Sequence, residues 1–433
     1  MDQYRQNRVH RLQSYIGREG LDAMLVTSKD AIFYLSGASY DPVERPFFVI
    51  VRPEGVPNLV VPRLEYEHMM KVEGFGEINY YFEYPSVPGQ NWYDFLAEDV
   101  GENAVIGIEP SLPSAYRELI RAKQTRVVDY IDTMRMVKDA SELDAIRLAC
   151  KWTDEGMRLL HEGLYRGQSV IEATMYAREI QTGVVKTTDF NYMTSSFLTA
   201  AWPAPKSAQP HSLPDLAGRM GDGPIVLMSF NRVNGYAAEN ERTVFLGEPS
   251  QRDRKLYDVM MKAREIAYSM VRPGTRCEDI DLATQEYFKS LGYRDAIHHR
   301  TGHGIGLGNH EAPWLSAGGH HVLEENMVIS IEPALYFDDI GGFRHSDTVL
   351  VTKDGYEILT HYPTNLEDRI VRDNRTPRKL KDAVVRKAVN IGRTVTDTVK
   401  TTFQPIIYAR IVSHFMADVS FRLLLIDRWF IYR

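Results

Sequence analysis

Between residues 301 and 313 the chain reads Thr-Gly-His-Gly-Ile-Gly-Leu-Gly-Asn-His-Glu-Ala-Pro, with four glycines at alternate positions and histidines at 303 and 310. So glycine-rich a stretch makes a poor helix or strand, but it lets backbone pass close to a bound group. His303 and His310 are therefore the first candidates for chemistry. Downstream, Met-Val-Ile-Ser-Ile-Glu-Pro-Ala-Leu over 327–335 sets one carboxylate, Glu332, in an apolar run that reads as a buried strand. An unpaired charge there costs several kcal/mol, so Glu332 needs a partner. Upstream, 225–230 and 235–247 read as two strands joined by a turn. Glu239 and Glu241 lie two residues apart on the second and share a sheet face.

The elements that must position these residues follow from patterning. Apolar runs at 21–28, 46–53, 58–62 and 104–109, with a short helix running to Gly37, describe an α/β layer domain. Asp139-Ala-Ser-Glu142 has capping-box spacing, and Leu143, Ile146 and Cys150 follow at helical intervals, so a long helix opens a second domain. The expected class is α/β (α+β), with a first domain over 1–137 and a second over 138–371. In the second, helices at 170–185, 251–270 and 280–291 alternate with strands. Over 372–433 arginine and lysine come densely, giving a basic extension of unassigned role: such an end can touch a membrane or a partner, and more often is solvated or docked on its own domain.

Composition narrows the function class. The 433 residues are 44% hydrophobic, an ordinary globular balance long enough for two cores. A net charge of −7 argues against nucleic acid as a partner. The chain starts without an apolar signal core and has no run of about 18 apolar residues, so a cytoplasmic protein without membrane contact is expected. Cys150 and Cys277 fit neither a disulfide framework nor zinc spacing.

Four stretches together resemble the pita-bread family of aminopeptidase P, prolidase, methionine aminopeptidase and creatinase. They are Gly-Tyr-x-x-acid-x-x-Arg-Thr at 235–243, Gly-His-Gly-Ile-Gly with a second His seven residues on, Ile-Glu-Pro at 331–333, and Gly-Phe-Arg-x-x-Asp-Thr-Val-Leu-Val from 342. The resemblance runs in order from residue 4 to 371. It implies a creatinase-type N-terminal α/β domain followed by a pita-bread catalytic domain. The family's peptidases hold two divalent metals with two Asp, one His and two Glu, and those places fall on Met228, Glu239, His303, Glu332 and Ser346. Two such ions about 3.5 Å apart repel by roughly 20 kcal/mol at an effective dielectric of about 20, which four carboxylates offset and two do not. The resemblance thus leaves room for one ion, on a facial set of Glu239, His303 and Glu332.

Creatinase, the metal-free member, resembles the chain more closely at other positions. Its catalytic His falls on His211, its two substrate-gripping glutamates on Glu241 and Glu332, and the His of its Gly-His stretch on His303. An Arg that looks across the dimer to the substrate carboxylate falls on Arg45, which implies a homodimer with a shared site. A second carboxylate-binding Arg becomes Trp314, a substrate-side Tyr becomes Ala237 and a pocket His becomes Ser346, so creatine itself is not the expected substrate. The leading expectation is a metal-independent, cofactor-free hydrolase or lyase of a non-peptide C–N bond in a small, nitrogen-rich, carboxylate-bearing molecule. In it His211 acts as base and then acid, and Glu241 and Glu332 grip a guanidinium- or amidine-like group. His303 stands beside them, with Arg45, Trp314, His310 and Glu239 toward the substrate. Two other readings stay open: a prolidase-type metallopeptidase with an eroded, one-metal site, and an inactive pita-bread module that binds a peptide or protein. Glu241 also has Arg242 and Arg344 as candidate ion-pair partners, and Glu332 has His303.

Overall fold

Apolar four-residue runs make the inner strands of the first sheet in this computed structural model, which describes residues 1–372 apart from 42 and 214–216. The basic extension expected over 372–433 therefore lies, Arg372 aside, outside the described residues. The strands are β1 (Ala23–Val26), β2 (Phe48–Val51), β3 (Asn58–Pro62), β4 (Ile78–Tyr81), β5 (Val105–Ile108) and β6 (Gln124–Val127). Their order is β4-β3-β2-β1-β5-β6. β1 and β2 are buried throughout. Sequence patterning gave no strand at β4 or β6, because both lie at sheet edges and carry polar residues, as edge strands commonly do.

The second sheet positions the candidate residues. Its strands are β7 (Ser196–Trp202), β8 (Ile225–Val233), β9 (Tyr236–Leu246), β10 (Gly302–Gly304), β11 (Glu311–Leu315) and β12 (Val328–Ile331). After β13 (Ala334–Phe337) and β14 (Gly341–Arg344), which form a separate two-stranded sheet among the described residues, come β15 (Ser346–Thr352), β16 (Gly355–Ile358) and β17 (Ile370–Val371). The order is β11-β10-β12-β15-β9-β8-β7, with β16 on β15 and β17 on β9. β8 and β9 form the expected hairpin. Its two-residue turn is Asn234-Gly235, both at positive φ (50° and 99°), the backbone that a tight hairpin demands and that asparagine and glycine tolerate.

The long helix expected after residue 139 spans Ala140–Gly163 and starts with the Asp139/Glu142 capping box. Ile146, Cys150, Met157 and Leu160 make its buried stripe, and it packs on β8 and β9. The expected 170–185 helix is divided at Met175 into Val170–Thr174 and Tyr176–Thr187. Both cysteines are free and buried. Among the described residues, no helix is long and apolar enough to cross a membrane.

One expected strand is two. β12 ends at Ile331 and β13 begins at Ala334, because Pro333 has no N–H to continue the ladder and the Glu332 N–H donates to the Thr301 carbonyl at 2.8 Å. The turn leaves the Glu332 side chain in a cavity instead of a strand interior. Behind the sheet, Asp347 is wholly buried and accepts from Arg242 (2.7 Å), Thr360 (2.8 Å) and Arg264, which locks β15 to β9 and to the helix Gln251–Met270.

Candidate metal centre and active site

Strand alternation puts Glu239 and Glu241 on one face of β9, and sheet register supplies their neighbours. Met228 stands opposite Glu241 on one side and Ser346 on the other. His303 stands opposite Ser330 on one side and Trp314 on the other. The Ser330 hydroxyl donates to Glu239, which ties the two rows together. β10 forms despite its glycines because its neighbours approach so closely: a Cβ on residue 304 would lie 2.2 Å from the Ala312 carbonyl oxygen.

His303 is the hub. It is 1% exposed, its Nδ1–H donates to the Gly304 carbonyl at 3.1 Å, and its Nε2 faces Glu332 Oε1 at 3.3 Å and Glu239 Oε2 at 3.7 Å. Burial alone would push this imidazole down, but Glu239 and Glu332 outweigh it and hold it at about 9. Burial likewise works against the Glu332 carboxylate, yet His303 beside it holds it at about 2. Glu239 goes the other way, to about 7, because burial and the facing Glu332 charge disfavour its anion. The His310 ring lies 4.0 Å from that of His303, and burial and the neighbouring imidazole push it down to about 4.

These groups fit one divalent ion. Ligand atoms of Glu239, His303 and His310 lie within 4.8 Å of one another. Glu239 Oε2 and His303 Nε2 are buried and make no hydrogen bond. Buried polar atoms crowded at one point without a hydrogen bond of good geometry are what a bound cation satisfies, and imidazole with carboxylate is a common donor set. They do not fit two ions. Met228 Sδ accepts from Trp202 Nε1 (2.8 Å) and Arg344 Nη2 (3.2 Å), Ser346 offers a neutral hydroxyl, and Glu241 pairs with Arg344 Nε at 2.7 Å. Burial and the facing carboxylates push Glu241 upward against the pull of Arg344.

The candidates converge on a cavity of about 700 Å³ lined by His211, Glu241, His310 and Glu332, with Phe230 and Arg344 in its wall. His211 is exposed at its rim. Trp314 reaches it through Arg300, whose guanidinium lies 4.4 Å over the indole. Arg45 is elsewhere, paired with Glu44 (2.5 Å) and with Glu83 (2.7 and 3.0 Å) of its own chain. Ala237 is buried on β9 two residues before Glu239. The expected metal set of Glu239, His303 and Glu332 changes one member: His310 groups with the first two, and Glu332 is the ion-pair partner of His303. Sequence reasoning missed Ser330 and Tyr336. Ser330 was visible as the one hydroxyl in the apolar Ile-Ser-Ile run. Tyr336, whose hydroxyl meets both His299 Nε2 (2.8 Å) and Arg344 Nη1 (3.1 Å), carried no local signal.

Comparison with known proteins places both domains. Residues 8–137 match the Creatinase/Prolidase N-terminal domain, and residues 144–353 match Metallopeptidase family M24. A Xaa-Pro dipeptidase of Lactobacillus delbrueckii subsp. lactis is 28% identical over 372 residues, covering 82% of this chain and 97% of that protein. One from Pyrococcus horikoshii is 29% identical over 361 residues, covering 82% and 96%. The crystal structure of the Pyrococcus horikoshii prolidase superposes with a TM-score of 0.72 at 26% identity, over 83% of this chain and 99% of that one. The metal-independent, cofactor-free, creatinase-like C–N hydrolase expected from sequence is therefore corrected. The matched domain is a metallopeptidase domain, the relatives are dipeptidases, and Glu239, His303 and His310 form a cluster able to hold an ion. Met228 and Ser346 stand at two of the family's ligand places, and His310, expected toward the substrate and not as a ligand, is brought by folding beside His303.

Proposed function

Because the chain belongs to the creatinase, aminopeptidase P and prolidase family, with a creatinase-type N-terminal domain and an M24 pita-bread domain, we propose that it is a metal-dependent dipeptidase acting on Xaa-Pro bonds. The observation that carries this reading is the convergence of the buried Glu239 Oε2 and His303 Nε2 with a His310 ring nitrogen, all within 4.8 Å of one another, beside a dipeptide-sized cavity. A divalent ion held by Glu239, His303 and His310 would supply Lewis acidity to the scissile carbonyl and to the attacking water.

The chain's own groups do the rest. Glu332, whose Oε1 lies 3.3 Å from His303 Nε2 and which lines the cavity, presents an anion to the substrate's ammonium. His211, exposed at the rim, delivers a proton to the leaving imino nitrogen, which must depart as a neutral amine. Leu198, Pro210 and Phe230 give the cavity an apolar wall for the proline ring. Arg300, braced on Trp314 and in no ion pair with an acid among the described residues, offers its guanidinium to the peptide carboxylate.

The test is hydrolysis of Ala-Pro and Met-Pro, followed as released proline, by the full chain supplied with Mn(II). Cleavage of the free dipeptides well above that of their C-terminal amides is expected. No cleavage of any Xaa-Pro dipeptide by ion-loaded protein would sink the proposal.

A further inference from the structure

The buried end of the cavity holds a charged group that the proposed reaction does not use. Arg344 is 4% exposed, and its guanidinium is fixed on every side. Nε faces Glu241 at 2.7 Å, Nη1 donates to the Tyr336 hydroxyl (3.1 Å) and the Pro210 carbonyl (3.2 Å), and Nη2 donates to Met228 Sδ (3.2 Å). The Trp202 indole N–H closes the far side of that sulfur at 2.8 Å. The Tyr336 hydroxyl is held in turn by His299, whose Nδ1–H donates to the Arg300 carbonyl, leaving Nε2 to accept from the tyrosine. A planar guanidinium gripped at each nitrogen cannot swing away to admit another cation.

We propose that Arg344 is a built-in cation that limits this site to a single divalent ion, with the ion at the Glu239, His303 and His310 end and the guanidinium at the Glu241 end. The inference rests on the metal-dependent reading of the site but not on its peptide specificity. Charge decides it. Glu239, Glu241 and Glu332 are the carboxylates gathered here; Arg300, half-buried on Trp314, pairs with none of them among the described residues, and the Arg344 guanidinium leaves two of their negative charges unmatched. One divalent ion cancels those two. A second ion would leave two positive charges in a pocket where Glu332 is already counted in that balance and the further donors are a thioether already accepting two hydrogen bonds and the Ser346 hydroxyl. Neither supplies an anion, and buried charge without a counter-charge is not tolerated.

The experiment is equilibrium dialysis of the full chain against Mn(II), with electron paramagnetic resonance of the bound ion and no assay of activity. The wild type should bind one equivalent and give the spectrum of an isolated ion. Arg344→Gln strips Glu241 of its partner and should admit a second equivalent, or tighten the first by at least about tenfold. Arg344→Lys keeps the charge and should stay at one. Two equivalents in the wild type would overturn the proposal, as would an Arg344→Gln protein of native circular dichroism that binds one ion with unchanged affinity. Should that variant not fold, Glu241→Gln decides: removing one negative charge should weaken Mn(II) at least about tenfold, and unchanged affinity would contradict the charge argument. A wild type that binds no ion at all would remove the metal-dependent reading together with this one, whereas one equivalent without dipeptide hydrolysis would spare the inference and fail only the substrate assignment.

Discussion

Oε1 of Glu332, in the turn after β12, stands 3.3 Å from Nε2 of His303 on β10, and each holds the other's charge in a pocket where burial opposes both. Truncating one partner leaves the other carboxylates facing each other. His303→Ala should weaken Mn(II) binding by about 100-fold or more. It should also destabilise the ion-free protein by about 3 kcal/mol in urea unfolding, as breaking a buried pair does. An unchanged unfolding midpoint would show that the pair holds nothing together.

Much of this arrangement could be read from the residues. Capping at Asp139, the Asn234-Gly235 turn and the shared face of Glu239 and Glu241 are local signals, and each produced the element it announced. The need of Glu332 for a partner also followed from its apolar surroundings, and the partner is His303, one of the residues named for it. What was illegible depends on tertiary register. Ser330 reaches Glu239 because β10 and β12 pair in one particular register, and His310 comes beside His303 only through the return of the chain after Gly304. Counting replaced ligands along the sequence could not see a ligand supplied by folding, so it pointed to metal-free chemistry. A single proline likewise divided the expected strand around Glu332, which no count of apolar residues reveals.

Asp347 joins Arg242 and Arg264 behind the sheet, and those guanidinium groups hold its carboxyl below the ordinary value although burial pushes the other way. Asp347→Asn should cost about 3–5 kcal/mol in chemical denaturation, since two buried guanidinium groups lose their counter-charge. Loss within about 1 kcal/mol would mean that water or rearrangement replaces it.

Gly304→Ala tests the close approach of β10 and β11. A methyl group there would meet the Ala312 carbonyl oxygen at 2.2 Å, and backbone cannot yield as a side-chain tip does. The variant should lose about 2 kcal/mol or more of stability, and its Mn(II) affinity should fall because His303 is adjacent. Wild-type affinity and midpoint would show that the strands are not locked at this distance.

His161 provides a pH signature away from the ion site. Its Nδ1 meets the Tyr362 hydroxyl at 2.9 Å, and burial, helped by Arg369, lowers its pKa from 6.5 to about 4. Because the folded value lies below the unfolded one, the unfolded chain takes up the proton first. Its stability contribution is complete above pH 6.5 and is lost as pH falls from there toward 4. The loss should reach up to about 3 kcal/mol, and His161→Gln should flatten it in paired denaturation curves. Parallel curves for wild type and variant across that window would contradict the assignment.

The most direct test of the account is removal and return of the ion. The full chain would be stripped with chelator, checked by elemental analysis, assayed for release of proline from Ala-Pro, then titrated with Mn(II) and assayed again. The account predicts that hydrolysis is lost on stripping and returns in proportion to the ion added, saturating at one equivalent per chain. Undiminished turnover by protein verified as metal-free would contradict it.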